Sequence, residues 1–126
     1  MKEKVCSGCK KSLPYDNFFV DNSRKDGRGR MCRDCKVLYN EQRRKVRREY
    51  VRDYLLSHPC VDCGESRLTV LDFDHQRDKK IHIGVIVSNG GSMKTLKEEI
   101  AKCEVRCANC HVHRHRSMLP HHKEDV

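Results

Sequence analysis

At 126 residues the chain has room for one domain or for two very small ones. Leu, Ile, Val and Phe number 27, Trp is absent and 36% of the residues are charged, which excludes a fold held by one ample hydrophobic core. The formal charge of +9 favours a polyanionic partner, most simply nucleic acid. No run approaches a transmembrane helix, and Met-Lys-Glu-Lys-Val-Cys lacks the apolar stretch of a secretory signal, so no membrane association and a reducing, intracellular compartment are expected.

Three segments follow in chain order. Residues 1–36 open and close on Cys-x-x-Cys pairs, with the turn-forming Lys25-Asp26-Gly27-Arg28-Gly29 between them. Phe18 and Phe19 are its miniature core, with base stacking as the other reading. Residues 37–57 lack Gly and Pro, and Tyr39, Val46, Tyr50, Tyr54 and Leu55 recur at helical spacing, which predicts an amphipathic linker helix. Its cations, among them Arg43, Arg44, Lys45, Arg47 and Arg48, outnumber the acids Glu41, Glu49 and Asp53 and suit phosphate contact better than a merely solvated face.

Residues 58–126 carry the chemistry. Leu68–Asp74 alternates and predicts a strand ending at Asp74-His75. Asn89-Gly90-Gly91 is a turn, and Ser92 or Thr95 caps a helix whose face carries Leu96, Ile100 and Cys103. Cys103, the odd cysteine, is therefore expected in the core. A last helix begins near Asn109 and runs to Met118, ended by Pro120.

The other eight cysteines form four Cys-x-x-Cys pairs: Cys6/Cys9, Cys32/Cys35, Cys60/Cys63 and Cys107/Cys110. Repeated two-residue gaps are the spacing of tetrahedral zinc sites rather than of disulfide frameworks. Two structural Zn²⁺ ions of four thiolates each are expected, and they leave the net charge at about +5. Beside the second site stand Asp74-His75 and Asn109-Cys110-His111-Val112-His113-Arg114-His115. His111 and His115 are four apart and share a helix face, so with Asp74 they could hold a further divalent ion with open positions. His75 is then the candidate general base. Arg114 and Arg116 flank this site, and Lys79 and Lys80 follow it, as candidate phosphate contacts.

Asp74-His75 with Cys107-Ala-Asn-Cys-His111 resembles the HNH endonuclease motif, the ββα-metal or His-Me finger, and the zinc pairs resemble its endonuclease VII subgroup. The resemblance covers about residues 58–116. It implies a small α+β fold: a zinc-stabilised ββα-metal core, in domain 58–126, preceded by a four-cysteine zinc-knuckle segment and a basic helix. It further implies that His75 activates water and that Asp74 and His111 hold one Mg²⁺, Mn²⁺ or similar ion. Asn109 would be the central asparagine, with Asn89 as the alternative. DNA would be cut to 5′-phosphate and 3′-hydroxyl ends, as a nick or, in a homodimer, on both strands. Endonuclease VII-type enzymes carry Asn directly after the last cysteine, where this chain has His111. The leading pairs and basic helix resemble extensions on small phage-encoded members, which implies the cytoplasm of a bacterial host. The competing expectation is a non-catalytic zinc module that binds nucleic acid.

Overall fold

A computed structural model describes residues 2–118; Pro120, and with it the expected helix stop, lies outside the described residues. The chain is a small α+β protein of two compact units, 1–43 and 44–126. The division falls inside the long helix α1 (Arg33–Ser57), not at the two ends of a separate linker.

The first unit is built from two hairpins and the start of α1. Strands β1 (Glu3–Val5) and β2 (Ser12–Pro14) pair antiparallel around the first cysteine pair. Strands β3 (Phe18–Val20) and β4 (Arg28–Cys32) pair across a loop whose Gly27 takes a φ of 73°, a conformation that favours glycine. The core is small: Cys6, Phe18, Met31 and Cys32, flanked by Leu13, Cys35 and Tyr39. Phe18 is fully buried whereas Phe19 is 40% exposed, so only the first of the pair is core.

In the second unit, β5 (Leu71–His75) pairs antiparallel with β6 (Cys103–Cys107), from Leu71 opposite Cys107 to His75 opposite Cys103. Helix α4 (Ala108–Ser117) follows β6 directly. Between the strands lie α2 (Ile83–Asn89) and α3 (Met93–Ile100). Gly90 ends α2 at φ 90°, and the Ser92 side chain caps α3 by accepting from the Thr95 backbone N–H. Alternation gives the two-stranded sheet two faces. Leu71, Phe73, Val105 and Cys107 pack with Tyr54, Leu55, Leu68 and Val70, while Asp72, Asp74, Glu104 and Arg106 take the opposite face. A second cluster of Ile83, Ile86, Leu96 and Ile100 closes over Tyr50, Val51 and Phe73. Burying each such aliphatic side chain contributes about 1.5–3 kcal/mol.

Several expectations need correction. The strand starts at Leu71, because Leu68–Val70 form a 3₁₀ turn. Cys103 is not on a helix: α3 stops at Ile100, and Cys103 opens β6, where it still packs against the Ile83–Ile100 cluster. Helix α2 has no counterpart among the sequence expectations, its seven residues being too short for a periodic signal. Arg47 is 2% exposed and donates to the carbonyls of Val87 (3.0 Å) and Gly91 (3.2 Å). It therefore latches the α2–α3 turn to α1 from within the fold and is not placed for phosphate contact. No described helix is long and apolar enough to cross a membrane.

Candidate active site and metal centres

The same local construction recurs at both cysteine clusters. In each unit a knuckle supplies the first two thiols. The Cys6 carbonyl accepts from Lys10 N–H and the Cys60 carbonyl from Gly64 N–H, both at 2.9 Å. Lys10 and Gly64 turn through positive φ, 66° and 78°. The second pair spans a strand end and the next helix start: Cys32 on β4 and Cys35 in α1, Cys107 on β6 and Cys110 in α4. The four Sγ atoms of each cluster lie within 4.8 Å of one another. Cys63 and Cys107 Sγ are 3.7 Å apart, against about 3.8 Å for the edge of a tetrahedron with 2.3 Å Zn–S bonds. All nine cysteines are free thiols, so two four-cysteine groups can hold zinc.

Backbone N–H groups prepare these sulfurs for a cation. Burial pushes the Cys6 thiol up, but N–H groups of Cys32, Cys9 and Gly8 outweigh it and take the pKa down to about 6. Cys60 also reaches about 6, where burial is overcome by the N–H groups of Cys107, Cys63 and Asp62. Neighbouring Cys32 and Cys6 push Cys35 up to about 12. Four thiolates thus resist crowding together until a divalent charge sits among them.

The third cluster is Asp74, His111 and His115, whose ligand atoms also lie within 4.8 Å of one another. Asp74 is only 1% exposed, and its two oxygens are divided. Oδ2 accepts from Arg106 Nη1 and Arg114 Nη1, both at 2.9 Å. Oδ1 faces His115 Nε2 at 3.2 Å and His111 Nε2 at 3.6 Å. Burial raises the Asp74 carboxyl, but His115, Arg114, Arg106 and His111 together hold it below the usual carboxylate range, so it is ionised and able to act as a ligand. Ligands about 2.1 Å from one ion stand about 3.0–3.4 Å apart in octahedral or tetrahedral shells, close to these separations. A carboxylate and two imidazoles on one side of a site leave the other side open. The donor set fits a divalent cation.

Asp74, His75, His111 and His115 line one cleft of about 930 Å³. Its walls include Arg48, Arg52, Arg77 and Lys79 over an apolar floor of Val51, Leu55 and Phe73. Arg48 and Arg52, cations of the basic helix, and Lys79 were expected phosphate contacts; Arg77 is added by the fold. Lys45, Lys80 and Arg116 are exposed on the same unit but do not line the cleft. Arg44 donates to the Ser88 carbonyl at 3.0 Å. In the first unit, Arg43 bonds the Tyr39 hydroxyl at 2.9 Å.

Asn109 is not brought to this cleft. It is exposed and lines a separate cavity of about 300 Å³ with Cys63, Glu65 and Arg67. Asn89, the alternative, ends α2, its side-chain oxygen 3.4 Å from the Ser88 hydroxyl. One turn of helix separates Asn109 from His113, not from His111 and His115, so it falls on another face of α4.

Two site residues escaped the sequence reading. Arg106, with a side chain 9% exposed, binds Asp62 (2.8 Å), Asp74 (2.9 Å) and Glu104 (3.1 Å). Glu99, 2% exposed, meets His75 Nε2 at 3.0 Å and Lys102 Nζ at 2.7 Å. The available signal for Glu99 was a carboxylate three residues after Leu96 and beside Ile100, on the buried face of α3. Comparison of the chain with protein-family models, curated proteins and solved structures finds no match.

Proposed function

We propose that the chain is a metal-dependent endonuclease of HNH type that hydrolyses DNA phosphodiester bonds. What carries the reading is one constellation: Asp74 Oδ1 turned toward the Nε2 atoms of His111 and His115, in the same basic-walled cleft as His75. A non-catalytic zinc module has no physical need for a buried carboxylate aimed at two imidazoles. The order β5, β6, α4, with Asp74-His75 ending the first strand and His111 in the first turn of the helix, supports the HNH resemblance.

Asp74, His111 and His115 would hold a Mg²⁺, Mn²⁺ or similar ion, which supplies Lewis-acid stabilisation of charge on the phosphate. The chain's own residues do the rest. Arg48, Arg52, Arg77 and Lys79 draw the backbone into the cleft by contacts that ignore base sequence. His75 accepts a proton from the attacking water as its oxygen bonds to phosphorus. The bond from phosphorus to the 3′-oxygen breaks, that oxygen takes a proton from solvent, and a 5′-phosphate and a 3′-hydroxyl remain. Arg106 and Arg114 keep Asp74 ionised and fix which of its oxygens faces the imidazoles.

The test is plasmid nicking by zinc-loaded protein, with and without added Mg²⁺ or Mn²⁺, beside His75→Ala. Metal-dependent nicking that the variant loses is expected. DNA binding without nicking under every condition would replace the endonuclease with the zinc-binding module.

A further inference from the structure

The segment between β5 and β6 does more than connect them: it delivers Glu99 to His75. We propose that Glu99 is a positioning residue of the active site, holding the His75 ring so that Nδ1 is the nitrogen that takes the proton from water. This rests on the hydrolase reading above.

Glu99 sits among Leu96 and Ile100, exposed by no more than 2%, and is itself as deeply buried. A carboxylate in such surroundings is costly unless paired. Lys102 Nζ meets Oε1 at 2.7 Å, which already balances the charge, yet Oε2 is turned to His75 Nε2 at 3.0 Å. An ionised carboxylate only accepts hydrogen bonds, so the proton of a neutral His75 ring resides on Nε2 and the lone pair on Nδ1. Nδ1 has no hydrogen-bond partner among the described residues. Nor is it sealed, because the described buried side-chain polar atom without a partner is Ser7 Oγ. The His75 side chain is 11% exposed and lines the cleft with Asp74, His111 and His115. A base fixed by a third group is the arrangement that proton transfer from a positioned nucleophile requires. The expected central asparagine, Asn109 or Asn89, lines no part of this cleft, and Glu99 occupies the orienting role instead.

The experiment uses the full zinc-loaded chain and three variants, Glu99→Gln, Glu99→Asp and Glu99→Ala, each checked for folding by amide NMR dispersion. Long-range ¹H–¹⁵N spectra of ¹⁵N-histidine protein in mildly alkaline buffer should show wild-type His75 with its proton on Nε2, and a mixture of tautomers in Glu99→Ala. In plasmid nicking, kcat should fall about 10–100-fold in Glu99→Ala with KM for DNA unchanged. Glu99→Gln, which keeps an acceptor oxygen, should recover part of that loss. A wild-type proton on Nδ1, or a folded Glu99→Ala with unchanged kcat, overturns the assignment. If wild type nicks nothing, the hydrolase reading falls by itself, while the tautomer still decides whether Glu99 orients the ring. If Glu99→Ala does not fold, the Gln and Asp variants carry the same two readouts.

Discussion

Removing one zinc ligand from the first unit should unfold that unit and leave the second standing. The substitution is Cys6→Ser, at a fully buried sulfur that accepts from the N–H groups of Gly8, Cys9 and Cys32 at 3.2–3.4 Å. The buried side chains available to hold the unit without metal are Phe18 and Met31, with partial help from Leu13 and Tyr39. Phe18 and Met31 together contribute about 3–6 kcal/mol, whereas a structural zinc in a small domain contributes about 10–16 kcal/mol at neutral pH. Loss of the ion therefore exceeds what apolar burial supplies, and it is comparable with the entire stability of a small domain, about 5–15 kcal/mol. The assay is ¹H–¹⁵N correlation NMR with elemental analysis of the same sample. Zinc should fall from two ions per chain to one, with amide dispersion lost for residues 3–43 and kept for 60–117. Retained dispersion across β1–β4 in a protein with one zinc would refute the reasoning, since Phe18 and Met31 would then suffice. So would a wild-type chain that holds only one ion.

Arg47→Ala removes two charge-assisted bonds to carbonyls and should destabilise by about 3 kcal/mol in urea denaturation; unchanged stability with weakened DNA binding would return Arg47 to the phosphate contacts. Gly91→Ala should lose about 1–3 kcal/mol, because an added Cβ falls 2.4 Å from Ile86 Cγ2. Gly84→Ala meets nothing within 4 Å inside α2 and should instead gain up to about 1 kcal/mol; equal effects at the two positions would contradict the packing. Lys102 holds the Glu99 carboxyl below its ordinary 4.5, aided by His75 and opposed by burial. With the folded value below the unfolded one, this stabilisation is complete above about 4.5 and declines as acid titrates the folded carboxylate. The gap in urea midpoint between wild type and Glu99→Gln should accordingly narrow on acidification below that value, and a constant gap would show that Glu99 contributes no linked stability.

Much of the site was legible because its signals are local. Four two-residue gaps mark the cysteine clusters, since a tetrahedral ion needs paired thiols from tight turns and their spacing is written in consecutive residues. The long run without Gly or Pro marks α1, and His111 and His115 share a face of α4 because four residues make about one helical turn. The first unit repeats the strand, thiol and helix sequence of the second, but it carries Phe18 and Phe19 on its strand where the second has Leu71 to His75. That difference too can be read from the chain.

What the sequence could not specify are pairings between residues far apart along it. Asp74 meets Arg106, Arg114 and His115 across 32 to 41 positions, and His75 meets Glu99 across 24; no periodicity encodes such distances. Arg47 reads as one more cation on a basic helix, and only the turn after α2 folding against it makes it an internal latch. Asn109 has the right neighbours in sequence yet the wrong face of α4. Ligand types and helix faces are thus set by the chain itself, because metal coordination and the 3.6-residue turn act over a few residues. Which carboxylate is buried, which imidazole nitrogen is held and which cation reaches the cleft are decided by tertiary packing, because desolvation and hydrogen bonding depend on what folding brings alongside.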